Sequence, residues 1–146
     1  LLEARAAGMR MAISTTTTPE NVTALIDSTL PAGAMDWFEV IGAGDIVPHK
    51  KPAPDIYQWV LAEMGLTADT VIAFEDSENG VISAVDAGIE RVLVTVNPYT
   101  IEQDFSGATV VLDTLGERGA PAQSIAGTAP TGGVVDLAYL HDFMAA

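Results

Sequence analysis

Apolar residues fall along this chain in short blocks rather than singly. Met9–Ser14 (MRMAIS), Phe38–Ile41, Val71–Phe74 (VIAF), Arg91–Val96 (RVLVTV) and Val110–Leu112 are each the length of a strand. They are apolar at successive rather than alternate positions, the pattern of strands covered on both faces. Helical stretches separate them. Leu1–Ala7 reads as a helix stopped by Gly8. Thr18 is placed to cap a helix with Pro19 at its first position and Glu20 in its first turn, running to about Leu30 before Pro31 and Gly33. A helix from Pro54-Asp55 carries Ile56, Trp59, Val60 and Met64 at helical spacing and ends at Gly65. Another follows Glu75-Asp76-Ser77, with Val81, Ala84 and Val85 on one face, and closes at Gly88. Gly116–Gly133 reads as a loop or mobile tail, and Val134–Met144 as a terminal helix. Strands alternating with helices predict an α/β fold, a doubly wound parallel sheet with helices on both faces.

Composition narrows the function. With 146 residues, 49% of them hydrophobic, the chain suits one domain with a sizeable core. It has no cysteine, which excludes disulfides, thiolate metal sites and a cysteine nucleophile and is compatible with a cytoplasmic setting. The net charge is −14, and Arg5, Arg10, Lys50, Lys51, Arg91 and Arg118 are scattered, so neither nucleic acid nor an anionic membrane is an expected partner. No apolar run approaches the ~20 residues of a membrane span, and no basic segment followed by an apolar one opens the chain as a leader would. The first residue is Leu, inside a helical pattern, so the chain is expected to be a fragment.

In a doubly wound sheet, ligands bind beyond the carboxyl ends of the strands. Three sets of polar residues fall there. Thr15, Thr16 and Thr17 follow the first strand, Lys51 precedes a helix, and Glu75 and Asp76 leave the VIAF strand. Adjacent carboxylates supply hard oxygen ligands to Mg²⁺. Without a cation they repel by ~1–4 kcal/mol at about 4 Å. A lysine and hydroxyls beside them bind phosphoryl oxygens, and together the sets describe a phosphoryl-transfer site. Taken singly, each has a plainer reading: a helix cap for Glu75-Asp76-Ser77, a solvated lysine, a threonine turn. Order and spacing favour the common site. His49 lies in the loop beside Lys51 as a solvated residue or an acid/base group, and His141 lies in the tail. Trp37, Phe38, Trp59 and Phe74 are expected in the core.

The phrases MAISTTTTPENV, KKPAPDIY and FEDSENGVISAVDAG resemble the second, third and fourth motifs of the haloacid dehalogenase superfamily, β-phosphoglucomutase-like branch. GDIVPHKKPAPDIY and GGVVDLAYL are most similar to the CbbY-type phosphatases, which remove phosphate from xylulose 1,5-bisphosphate. The resemblance covers roughly Leu1 to Glu117 and the tail phrase. It implies a Rossmann-like core over residues 1–117, followed by a Gly/Pro/Ala-rich loop and C-terminal segment over 118–146. It also implies a small sugar-phosphate substrate, Mg²⁺ as cofactor and a complete protein that is monomeric. By position, Thr15 matches the residue that holds the transferring phosphoryl group, with Thr16 and Thr17 as further phosphate contacts. Lys51 matches the lysine that stabilises nucleophile and phosphoryl oxygens, and Glu75 and Asp76 the pair that positions Mg²⁺. Ser77 and Asn79 sit in the same loop as supporting residues, and Gly80 is its small position.

The sequence departs from the family at the first motif. There is no Asp-x-Asp anywhere, although the family's nucleophile and general acid/base are those two aspartates. The resemblance places that motif, its strand and the cap before Leu1. The strand belongs between the strands ending at Ser14 and Phe74, so their edges are expected to be unpaired and this chain alone inactive and marginally stable. Mutase or phosphoglycolate phosphatase activity, or a non-catalytic relative, are the alternatives within the family. Outside it, a receiver-type signalling domain orders its acids before its Thr and Lys, opposite to this chain, and a dinucleotide-binding domain needs a third glycine after Gly42-x-Gly44.

Overall fold

The fold was analysed in a computed structural model, which describes residues 1–145. Strands β1 (Ala12–Ser14) and β2 (Val40–Gly42) pair in parallel, with Ile13 opposite Ile41. A second sheet holds β3 (Ala73–Glu75), β4 (Val92–Thr95), β5 (Val110–Leu112) and β6 (Ser124–Ala126) in that order. The first three are mutually parallel, and β6 runs antiparallel to β5 with a bulge at Val111/Leu112. Helices α1 (Leu2–Ala6), α2 (Pro19–Thr29), α3 (Asp55–Met64), α4 (Glu78–Asp86) and α5 (Leu137–Ala145) alternate with the strands, with 3-10 turns at Ala34–Trp37 and Ala68–Thr70.

The apolar runs form the core because they are buried on two sides. On β4, Val92 and Val94 pack with Ile56 and Tyr57 of α3 and Val81 and Ala84 of α4. Leu93, between them, faces the opposite way and packs with Val110, Leu112, Tyr139 and Phe143. α5 therefore covers the second face. Its Tyr139 ring stacks on Phe143, and Arg91 donates to the Phe143 carbonyl at 3.3 Å. A separate cluster of Val22, Ile26, Ala34 and Ala43 covers β1 and β2. α3 closes the other side of that pair, so tightly that a Cβ on Gly42 would lie 3.0 Å from Ile56 Cδ1 and Val60 Cγ2.

Several sequence expectations need correction. The loop expected over Gly116–Gly133 contains β6, whose exposed, non-alternating residues leave no strand signature. The buried face of α3 uses Tyr57 in place of Trp59, and in α4 the buried residue is Ser83 rather than Val85. Ser83 is tolerated inside because its hydroxyl donates to the Ala53 carbonyl at 2.7 Å. Phe74, expected in the core, is 47% exposed. It sits on β3, whose hydrogen-bonded neighbour is β4 alone.

β1 and β3 are not hydrogen bonded to each other, so the two sheets meet at unpaired strand edges. The Ser14 hydroxyl on β1 is buried without a partner. Unpaired backbone edges and orphaned polar groups are costly and are ordinarily satisfied by a neighbour.

Candidate active site

β1 ends at Ser14 and β3 at Glu75, and the chain turns away from the sheet at both points. Between them lies a cavity of about 370 Å³. Its polar lining is Ser14, Thr15, Thr16, Lys51, Glu75 and Asp76, with Ser77 and Thr95 behind, and Phe74 and Leu115 add apolar wall. Residues from five separate stretches of sequence thus converge at the strand ends.

Lys51 is the centre of the arrangement. Its ammonium donates to the Ser14 carbonyl at 3.0 Å and to Glu75 Oε1 at 2.5 Å. The Lys51 and Glu75 side chains are only 11% and 6% exposed, and a buried ion pair of this kind stands only when its remaining donors and acceptors are also satisfied. Here the Tyr57 hydroxyl donates to the same Glu75 oxygen. The ammonium also lies 4.8 Å from the Tyr57 ring centre, in cation–π range. Burial first, then the Glu75 charge and its hydrogen bond, push the Tyr57 pKa far above that of an ordinary phenol, so this hydroxyl remains a donor. The other Glu75 oxygen rests against Gly80, where an added Cβ would overlap it.

Asp76 is exposed, and Asn97, in the turn after β4, donates to its Oδ2 at 3.4 Å. Ser77 caps α4, its hydroxyl accepting from the Gly80 amide at 3.2 Å. Asn79 is exposed and outside the cavity lining. Thr15 accepts from the Thr17 amide at 3.2 Å. The Thr17 hydroxyl accepts from Asn21 at 3.3 Å and does not line the cavity. His49 pairs with Asp55 at 2.9 Å, and it too lies outside the lining. The cavity therefore gathers Thr15, Thr16, Lys51, Glu75, Asp76 and Ser77, but not Thr17 or Asn79.

Two contributors escaped the sequence reading. Tyr57 lies on the buried face of α3, and nothing in the sequence marks its hydroxyl's partner. Asn97 stands in a turn with nothing to mark it. No group of three or more His, Asp or Glu side chains suited to a metal occurs among the described residues. Of the acidic pair, Asp76 presents an exposed carboxylate of the hard-oxygen type that suits Mg²⁺, whereas the Glu75 oxygens are engaged by Lys51 and Tyr57 and pressed against Gly80.

The family model described as haloacid dehalogenase-like hydrolase matches residues 1–94. This chain belongs to that family. It is 52% identical over 105 residues to protein CbbY of Rhodobacter capsulatus, covering 72% of this chain and 46% of the relative. Among solved structures it is similar to CbbY from Rhodobacter sphaeroides in complex with phosphate, with TM-score 0.73 and 42% identity over 81% of this chain and 52% of that one. A mutant of the same CbbY in complex with xylulose-(1,5)bisphosphate gives TM-score 0.74 and 40% identity over 93% and 55%. The chain spans about half the length of the relatives it matches.

Proposed function

We propose that this chain is the core portion of a Mg²⁺-dependent phosphoester hydrolase acting on a small phosphorylated sugar, with xylulose 1,5-bisphosphate the first substrate to test. The observation that carries the reading is the convergence of Thr15, Lys51 and Asp76 on one cavity at the ends of β1 and β3. The family match supports the reaction class, and the bisphosphate bound to a similar CbbY supports the substrate class.

In this reading an ammonium with three N–H groups spends two on Ser14 and Glu75 and keeps one for a phosphoryl oxygen. The Thr15 hydroxyl accepts from Thr17 and retains its own proton for a second phosphoryl oxygen, with Thr16 alongside. Thr17 orients Thr15 through its amide. Asp76 would hold Mg²⁺ beside Ser77 at the start of α4, while Glu75, engaged by Lys51 and Tyr57, would keep the ammonium in place. When bound, the metal neutralises charge on the phosphoryl group. The nucleophile is an aspartate outside these residues, carried on a strand that fills the place between β1 and β3. Its carboxylate oxygen bonds to phosphorus as the sugar oxygen leaves and takes a proton. Water then cleaves the aspartyl-phosphate to release phosphate.

The test is a Mg²⁺-dependent phosphatase assay on this chain and on the chain extended through its parent reading frame, using xylulose 1,5-bisphosphate, phosphoglycolate and hexose phosphates. Activity in the extended protein alone is expected. Activity in neither would make the chain part of a non-catalytic relative. In the extended protein, Asp76→Ala should abolish most Mg²⁺ activation, and Lys51→Ala should lower turnover by about 10²–10³-fold, the usual cost of losing one preorganised charge partner. Unchanged Mg²⁺ dependence or near-normal turnover would remove the corresponding assignment.

A further inference from the structure

Tyr57 is 8% exposed and packs its ring among Ile56, Val92 and Val94. A phenylalanine would fill that space equally well. The hydroxyl, however, reaches past the core to Glu75 Oε1, the same oxygen that receives Lys51. Glu75 is thereby fixed on both sides: Oε1 accepts two donors, and Oε2 is pressed against Gly80. Lys51 in turn spans Ser14 on β1 and Glu75 on β3.

We propose that Tyr57 is a positioning residue that acts on Lys51 through Glu75. By donating to Glu75 Oε1 it draws part of the carboxylate's charge away from the ammonium. It also holds the carboxylate where Lys51 can reach Ser14 and still direct one N–H into the cavity. With the hydroxyl removed, Glu75 has one donor fewer and takes more of Lys51, by turning toward it or binding it alone. The N–H available to a phosphoryl oxygen is then misdirected. The effect on phosphate rests on the proposed function, whereas the effect on Lys51 itself does not.

The experiment compares Tyr57→Phe with Val60→Ala, a buried α3 residue outside the cavity that serves as a control for simple loss of stability. Two readouts are taken in Mg²⁺ buffer on the chain extended upstream through its parent reading frame. One is inorganic phosphate affinity by titration calorimetry, and the other is the rate of Lys51 acetylation by acetic anhydride, followed by mass spectrometry. Tyr57→Phe is expected to weaken phosphate binding by about 3–10-fold, the scale of one ordinary net hydrogen bond, since the effect reaches phosphate only through Lys51. It should also slow Lys51 acetylation at least about threefold, because Glu75 then holds the ammonium more closely, while Val60→Ala leaves both within about twofold of the parent. An unchanged or faster acetylation rate in Tyr57→Phe, or an equal change in Val60→Ala, overturns the proposal and returns Tyr57 to the core. Lys51→Ala separates the two readings. If it binds phosphate as the parent does, the phosphate site is wrong, and the acetylation result alone then decides the role of Tyr57.

Discussion

Gly80 lets the Glu75 carboxylate lie beneath the first turn of α4, because a Cβ there would overlap Glu75 Oε2. Its place in a helix makes alanine the better residue by local propensity, so the glycine serves the contact and not the helix. Gly80→Ala is expected to leave α4 intact and to push Glu75 off its position, breaking its contacts with Lys51 and Tyr57. Thermal unfolding should show a loss of about 1–3 kcal/mol from overpacking and a disturbed buried pair. Phosphate binding should fall with it, and a stabilised variant with unchanged phosphate affinity would contradict this account. At this scale the chemistry was legible where residue type and place coincided: Thr15, Glu75 and Asp76 are polar groups at strand ends, and Lys51 lies in the loop before a helix. Tyr57 was hidden because an aromatic on an apolar face reads as packing. Phe74 was misread because a strand's apolar residue is buried only if a neighbour covers it, and sequence pattern carries no record of the neighbour.

Helix α3 begins with a tie of its own. The His49 ring bonds the Asp55 carboxylate at 2.9 Å, and the His49 amide bonds the same oxygen at 3.3 Å, fastening the loop after β2 to the helix's first turn. The His49 ring bond is the main cause that holds the Asp55 carboxyl below the usual carboxylate range. Since the folded pKa is the lower one, this tie favours the folded state above the unfolded carboxyl value of about 4. It is lost as pH falls through the depressed folded value. His49→Ala should move the Asp55 titration upward in an NMR pH series and flatten the acid limb of stability over that window. An unmoved Asp55 would assign the shift to the helix start alone. The elements themselves were largely legible. Thr18 caps α2 as its sequence predicts, accepting from Asn21 at 3.4 Å, and Gly65 ends α3 with φ 63°. β3 begins two residues later than its apolar run and ends one later, at Ala73–Glu75, because the ladder starts only where Val92 of β4 stands opposite Ala73.

For the molecule as a whole, the weak point is the line between β1 and β3. No ladder hydrogen bonds cross it. The small sheet is held by α3, which packs on Gly42 from one side and on the larger core from the other. Lys51 reaches both strand ends, and Arg10 bonds the Met64 carbonyl at 2.7 Å at the far end of α3. Two small cores joined through one helix and a few side-chain bonds have separate stabilities, and a region with few buried apolar contacts opens first. The 146-residue chain is therefore expected to unfold in a broad transition or to aggregate through its unpaired edges. Amides of β1 and β2 should exchange with solvent well before those of β4 and β5, whose strands are paired on both sides. Extending the chain upstream through its parent reading frame should merge the two steps into one if a strand enters between β1 and β3. It should also protect the β1 amides to the level of β4. A sharp, single transition in the short chain, with uniform protection across both sheets, would show that α3 and Lys51 suffice to make one cooperative unit, and the open strand edges would then need no filling for stability.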